Sequence, residues 1–317
     1  MASTQLLRSA GTAAGPGRAA TGASSGGVLG PLLAVWRVLR VIMSYPTGAV
    51  GLLLILSFAL MAVIGPMLAP QGPFEVSRSA TGAVVRLSPP SWDNLLGTTN
   101  QGLDVFSQLL WGARVALTVG VISAVGSIIL GTLIGLIAGY FGGWTDEILM
   151  RITDVAFGIP FLPTALVIIS ITGPSLALII LLITLFLWRT TARVIRAQVL
   201  TLKTRPFVWA AKAAGASETK ILFVHIAPNV LPLSFLYMAI GVQGGVMLEA
   251  ALSFLGFGDP QVMSWGTMLN EAFKAGAMRT AWWWVTPPGL ALSLFVVSVF
   301  MVTRAYEELL NPRLREI

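Results

Sequence analysis

Residues Val155–Trp188 read VAFGIPFLPTALVIISITGPSLALIILLITLFLW, 34 positions without a charged side chain. A helix of about 20 apolar residues crosses roughly 30 Å of hydrocarbon. Gly173-Pro174 interrupts the run, and such a pair marks a turn. The stretch therefore reads as parts of two membrane-crossing helices joined by a tight hairpin. Outward from it, Val115–Thr145 holds 31 uncharged residues, Val41–Phe74 holds 34, Ile226–Leu248 holds 23 and Thr280–Thr303 holds 24. Together they predict six spans, at 48–69, 115–140, 149–172, 174–199, 230–255 and 284–304. Five glycines in the second span, Gly120 to Gly139, suit close helix–helix approach.

Composition points the same way. Of 317 residues, 10% are charged and 56% hydrophobic, with a mean hydropathy of +0.83. Soluble domains carry about 25% charged residues. So few charges cannot cover a water-facing surface of this size, and the expected fold class is an all-α polytopic integral membrane protein. A soluble enzyme, a disordered protein and a nucleic-acid binder fit poorly. The chain has no cysteine, which excludes disulfides, iron–sulfur and zinc–thiolate sites, and a thiol nucleophile. Its single histidine, His225, excludes multi-histidine metal sites. None of the four lysines follows a glycine, so there is no Gly-Lys-[Ser/Thr] phosphate loop. No catalytic chemistry, cofactor or metal is expected on this chain.

Lysine and arginine are enriched on the cytoplasmic side of membrane proteins. With six spans, fifteen fall on the side of the termini and five on the other, so both termini are expected in the cytoplasm of a cell-membrane protein. That asymmetry also explains the net charge of +7 without nucleic acid. Residues 1–30 read as a disordered cytoplasmic tail, with an organellar transit peptide as the alternative. Residues 31–47 read as an interfacial helix, 48–69 as the first span and 70–113 as an extracytoplasmic loop. A five-helix core, 114–317, carries a cytoplasmic loop at 200–229.

That loop contains TRPFVWAAKAAGASETKILFVHIAPN, Thr204–Asn229. Thr204 and Pro206 suit a helix start, and Gly215 suits the position just past a helix end. A second short helix is expected from Ser217 to Ile226, stopped by Pro228. Such a segment serves either as an interfacial connector or as a helix that docks on a partner and passes on its motion.

The spacing of Ala210-Ala211, Gly215 and Pro228 resembles the EAA loop of ABC-importer permeases, with Trp209 where that family has a glutamate. Leu96–Arg114, Gly139–Pro160 and Leu252–Leu269 further resemble the C-type permease subunit of dipeptide and oligopeptide importers. Leu96–Arg114 departs at Thr99, Leu103 and Gln108, where that family usually has charges. The closing Asn311-Pro312-Arg313 is similar as well. The resemblance covers about residues 40–317. It implies a type I ABC importer (MetI-like) transmembrane fold and coupling to an ATPase through Val208, Trp209, Ala210, Ala211, Lys212, Gly215, Ala216, Ser217 and Pro228. It implies a second, B-type permease, two ATP-binding cassette ATPase subunits that carry ATP and Mg, and an extracytoplasmic substrate-binding protein. Peptide is the implied substrate, with oligosaccharides or nickel complexes as alternatives within the family. A channel, a secondary transporter or a membrane scaffold are the competing classes.

Glu249 is the only acid deep in an expected span. It reads either as a gate or pathway residue or as a hydrogen-bonded packing contact. Gln243 and Ser253 are grouped with it. Asp104 and Trp265 are expected to face the binding protein. Arg189, Arg193 and Arg196, about one turn apart, read as an inner-leaflet anchor or an ATPase contact. Trp282-Trp283-Trp284 reads as an interfacial aromatic belt.

Overall fold

A computed structural model describes residues 39–40 and 42–310. The expected tail 1–30 and residues 31–38 and 41 of the expected interfacial helix 31–47 lie outside the described residues; of the rest, 39–40, 42–44 and 46–47 are helical. Among the described residues there are helices and isolated β-bridges, with no strand of any length. The helices are α1 (Pro46–Leu68), α2 (Val105–Phe141), α3 (Gly143–Gly158), α4 (Phe161–Thr172), α5 (Leu176–Leu202), α6 (Pro206–Ala213), α7 (Glu218–Phe254, in part a π-helix), α8 (Trp265–Lys274) and α9 (Trp282–Leu310). Five of them, α1, α2, α5, α7 and α9, are long and apolar enough to cross a membrane.

The third expected span is not straight. α3 and α4 meet at 82°. Pro160 causes the break, because the residue before a proline is pushed out of helical geometry. Ile159 accordingly sits at φ −86°, ψ 117°. The hairpin at Gly173-Pro174 does form, with Gly173 at φ +87°. Ser175 then caps α5 by accepting the Leu178 N–H at 3.3 Å.

α2 is the central strut and packs along α5, α7 and α1. Its glycines lie against backbone of α5. A Cβ at Gly131, Gly135 or Gly139 would stand within 3 Å of the carbonyl oxygen of Trp188, Ala192 or Arg196 respectively. Gly120 meets Val242 and Val246 of α7 in the same way. At one end of the bundle Phe58, Trp265 and Phe295 pack edge to face, joining α1, α8 and α9. At the opposite end Leu136, Ile195, Val199, Val208, Ile221 and Leu222 form a second core.

α2 begins at Val105, nine residues inside the expected loop 70–113. The remaining segment, 69–104, is folded onto the bundle. Asn94 donates to Ser77 Oγ at 3.0 Å, Gln108 Nε2 donates to the Pro73 carbonyl at 3.2 Å, and Trp283 Nε1 donates to the Thr98 carbonyl at 3.3 Å. The tryptophan triplet thus splits three ways. Trp282 is exposed, Trp283 holds the loop and Trp284 is fully buried in the core. α8, which no sequence reading anticipated, fills the connection between α7 and α9.

Candidate functional site

α6 is an eight-residue helix held across the turn between α5 and α7. Arg205 is its N-cap and Pro206 its first residue, where a missing N–H is harmless. Thr204, expected to cap, bonds back to the Thr201 carbonyl instead. At the other end the Ala216 N–H reaches the Ala211 carbonyl at 3.1 Å and the Gly215 N–H reaches the Lys212 carbonyl at 2.9 Å. These are the paired bonds of a Schellman turn, and Gly215 takes the left-handed position it needs, φ +77°. Ser217 then caps the next helix by accepting the Lys220 N–H at 3.4 Å.

One side of α6 is seated and the other is free. Val208 is buried among Ile195, Val199, Ile221 and Leu222, and Ala211 and Ala216 are half-buried beside it. Phe207, Trp209, Ala210, Ala213, Ala214 and Gly215 are exposed. Lys212 points to Glu218 at 3.6 Å, and the Tyr140 hydroxyl donates to the same carboxylate. Lys203 Nζ donates to the Gly139 carbonyl at 3.2 Å. The ends of α2, α5 and α7 are thereby tied to α6.

Contrary to the expectation from sequence, Pro228 does not stop the helix. The chain passes from Glu218–Lys220 through a π-helical turn, Ile221–Ile226, into the rest of α7, with Pro228 in its first turn. Proline lacks an N–H and crowds the carbonyl four residues back, and a wider i→i−5 turn accommodates both. The Ala227 N–H bonds to the Leu222 carbonyl, five residues earlier.

A second constellation clamps the elbow. Asp146 of α3 accepts from Arg196 Nε and Nη2 of α5, both at 2.5 Å. Asp154 accepts from Arg193 at 2.8 Å. Arg189 donates to the Ala156 and Ile159 carbonyls where α3 ends, and lies 3.6 Å over the Phe186 ring. The arginines read as a leaflet anchor or ATPase contact are therefore bound within the chain. Arg151 of α3 pairs with Glu147 of the same helix at 3.3 Å.

Glu249 is 2% exposed, accepts from Ser253 Oγ at 2.6 Å and has Ser264, the N-cap of α8, as a second hydroxyl neighbour. Gln243 is half-buried and makes no side-chain hydrogen bond with any described residue. Asp104 and Trp265 are corrections, for neither faces outward. Asp104 is 2% exposed and caps α2, accepting from the Ser107 N–H and Oγ, each at 2.7 Å. Trp265 is 1% exposed and donates to the Leu109 carbonyl at 3.0 Å. A buried carboxylate needs donors and a buried indole N–H needs an acceptor, and both find them inside the fold.

Residues 131–316 match the family described as binding-protein-dependent transport system inner membrane component. The chain belongs to that family. Among the curated relatives of this transport component, the dipeptide transport system permease protein DppC of Alkalihalophilus pseudofirmus is 34% identical, with 84% of this chain and 86% of the relative covered. The corresponding protein of Haemophilus influenzae is 35% identical over 84% of this chain and 90% of its own. The oligopeptide transport system permease protein OppC of Bacillus subtilis is 34% identical over 84% and 86%. Among solved structures, a chain of the inward-facing MetNI methionine ABC transporter aligns with a TM-score of 0.52 at 19% identity, covering 65% of this chain and 95% of that one. That likeness shows the fold, which is the one expected from the sequence. The matched region of the transport component contains α6, Gly215, Pro228, Gln243, Glu249 and Ser253 together.

Proposed function

We propose that this chain is one permease half of an ATP-driven peptide importer. The observation that carries the reading is α6, a capped helix with an exposed small-residue and aromatic face, seated on the ends of three long helices. The names of the relatives supply the solute class, dipeptides and oligopeptides. In this reading Phe207, Trp209, Ala210, Ala213 and Ala214 dock in a groove of an ATP-binding cassette ATPase. Trp209 gives the contact an apolar anchor in place of a salt bridge. The chain pairs with a second, B-type permease. Two ATPase subunits hold ATP and Mg, this chain binds no cofactor, and a substrate-binding protein docks on the side of the 69–104 loop. The complex lies in the cytoplasmic membrane with both termini inside.

Motion passes by stiff connections. ATP binding closes the ATPases and displaces α6. Val208 and the Schellman turn carry that displacement into α7, and Tyr140 and Lys203 carry it into α2. The cavity between the two permeases then opens outward. Hydrolysis resets it. Gln243, Glu249 and Ser253 lie in the half of α7 that this rocking moves.

The test is ATPase activity of the co-purified complex in lipid, with peptide-loaded binding protein, compared between wild type and Gly215→Pro. Proline cannot adopt φ +77°. The expected result is stimulated hydrolysis in the wild type and its loss in an intact mutant complex. A chain that purifies without ATPases, or a fully stimulated mutant, overturns the coupling role. Uptake of nickel complexes or oligosaccharides in preference to dipeptides overturns the solute class.

A further inference from the structure

α2 is longer than a bilayer requires. Its 37 residues rise about 55 Å, against roughly 30 Å of hydrocarbon. Its uncharged run begins at Val115 and continues to its end, so Arg114 is the last charge before the hydrocarbon. Its guanidinium therefore sits at headgroup level. There a cavity of about 260 Å³ opens between α2, the start of α5 and the segment 261–263. Trp111, Val115 and Met263 contribute apolar wall, and Arg114, Thr118 and Gln261 contribute the polar groups. Trp111, Arg114, Val115 and Thr118 follow helical spacing, so one face of α2 lines the site.

Two features call for an anionic ligand. The Arg114 side chain is exposed and makes no ion pair or hydrogen bond with any described residue. The acid of the adjoining segment, Asp259, is already occupied: its oxygens accept the Leu176 N–H at 2.9 Å and the Gln261 N–H at 2.8 Å. A third feature selects the kind of anion. Below Thr118 the same face of α2 continues as exposed Val121, Ile122, Val125 and Ile129. A charged mouth thus opens onto an apolar track running into the hydrocarbon.

We propose that this cavity binds a phospholipid, its phosphate on Arg114 and Gln261 and one acyl chain along Val121–Ile129. A guanidinium offers a planar fork that matches phosphate oxygens with two parallel hydrogen bonds. The acyl chain covers apolar side chains that nothing else in this chain covers. The bound lipid joins α2 to the start of α5 and to the segment before α8. The site is independent of which solute crosses the membrane.

The experiment uses the purified complex in maltoside micelles, which contain no competing phosphate. Phosphatidylglycerol or diacylglycerol, each with the same diazirine-bearing acyl chains, is added and photolysed, and labelled peptides are mapped by mass spectrometry. The expected result is about tenfold more label on Trp111–Ile129 from phosphatidylglycerol than from diacylglycerol, the factor expected of a hydrogen-bonded charge. Arg114→Gln removes the excess and Arg114→Lys keeps part of it. Label on the exposed Val63–Met67 face of α1 stays equal in all variants, which reports that the fold is intact. Equal labelling by the two lipids in the wild type, or an undiminished excess in Arg114→Gln, overturns the proposal. Displacement of the lipid label by a free dipeptide, dependent on Arg114, reassigns the site to a peptide carboxylate and also overturns it.

Discussion

Replacing Gly135 by alanine adds one methyl group in the middle of the glycine row where α2 meets α5. An ideal Cβ there stands 2.6 Å from the Ala192 carbonyl oxygen, 2.8 Å from Ile195 Cβ and 3.0 Å from the Arg196 nitrogen. Carbon atoms rest comfortably at about 3.5–4.0 Å, so the helices must part by about 0.7–1.2 Å at this level. Two of the three neighbours are backbone, which no rotamer change can move. The strain spreads as well, because Gly131 and Gly139 hold α5 equally close one turn to either side. Overpacking of this kind costs typically about 1–3 kcal/mol. Gly244→Ala is the control, since its Cβ would meet only Leu187, at an ordinary 3.5 Å. Replacing glycine in a helix favours the helix by about 1 kcal/mol in water, so that variant should be neutral or slightly stabilising. Unfolding of both variants in one detergent, followed by helical circular dichroism, reads the difference. Equal stability of Gly135→Ala and Gly244→Ala would refute the claim that the glycine row sets the α2–α5 distance.

Asp146→Asn weakens the two charged bonds to Arg196, at a cost of about 1–3 kcal/mol, and should loosen α3 against α5. Spin labels at Ile148 and Leu185 report this as a wider distance distribution, and an unchanged one counts against the clamp. Glu271 lies on α8, outside the five long spans, and burial raises its carboxyl pKa against the opposing pull of Lys274. The folded state then holds a proton that the unfolded state has lost, so the stability from this group is present below about 4.5 and declines as pH rises through the elevated folded value. Glu271→Gln should flatten that slope in a series of thermal melts, and a mutant with the wild-type slope rules the group out. Pro228→Ala restores an N–H just past the π turn of α7, letting that turn tighten and swinging Glu218 by about 100° from Tyr140. Faster amide exchange around Glu218 is expected, and wild-type rates would show that proline does not hold the turn.

The bundle was legible in sequence because apolar run length is a local property. The uncharged runs locate α1, the hydrocarbon part of α2, α5, and most of α7 and α9, and Gly215 marks the end of α6. The elbow was missed because hydropathy counts side chains and ignores direction: 149–172 is apolar enough to cross, yet Pro160 turns it. That signal was present in the sequence, and a rule about the residue before proline would have found it. α8 was missed for another reason. It carries only ten residues, too few to register as a span, although the Ser264 cap and the helical spacing of Trp265, Met268, Leu269, Ala272 and Phe273 were there to be read. Arg189, Arg193 and Arg196 show the limit from the other side. Charge counting assigns them a leaflet, but their acceptors, Asp146, Asp154 and the last carbonyls of α3, lie 30 to 50 positions away.

Asp104 and Trp265 mark where resemblance by stretch runs out. A matching stretch says that a residue type recurs at a place, not which way its side chain points. Both residues look ligand-facing in an outer loop, and both are consumed by the fold, one as a helix cap and one as a core aromatic. The α6 region is the opposite case, because there the spacing has a direct physical meaning. Gly215 supplies the one left-handed residue that closes a Schellman turn, and Ser217 caps the next helix two positions later. Pro228 is met by a π turn whose side chains, Ile221, Leu222 and Ile226, are fully packed. No slack segment remains between α6 and α7. In the proposed coupling, a displacement of α6 would pass through the capped turn 214–217 to α7 or break the Tyr140–Glu218–Lys212 bracket that holds α6 to α2.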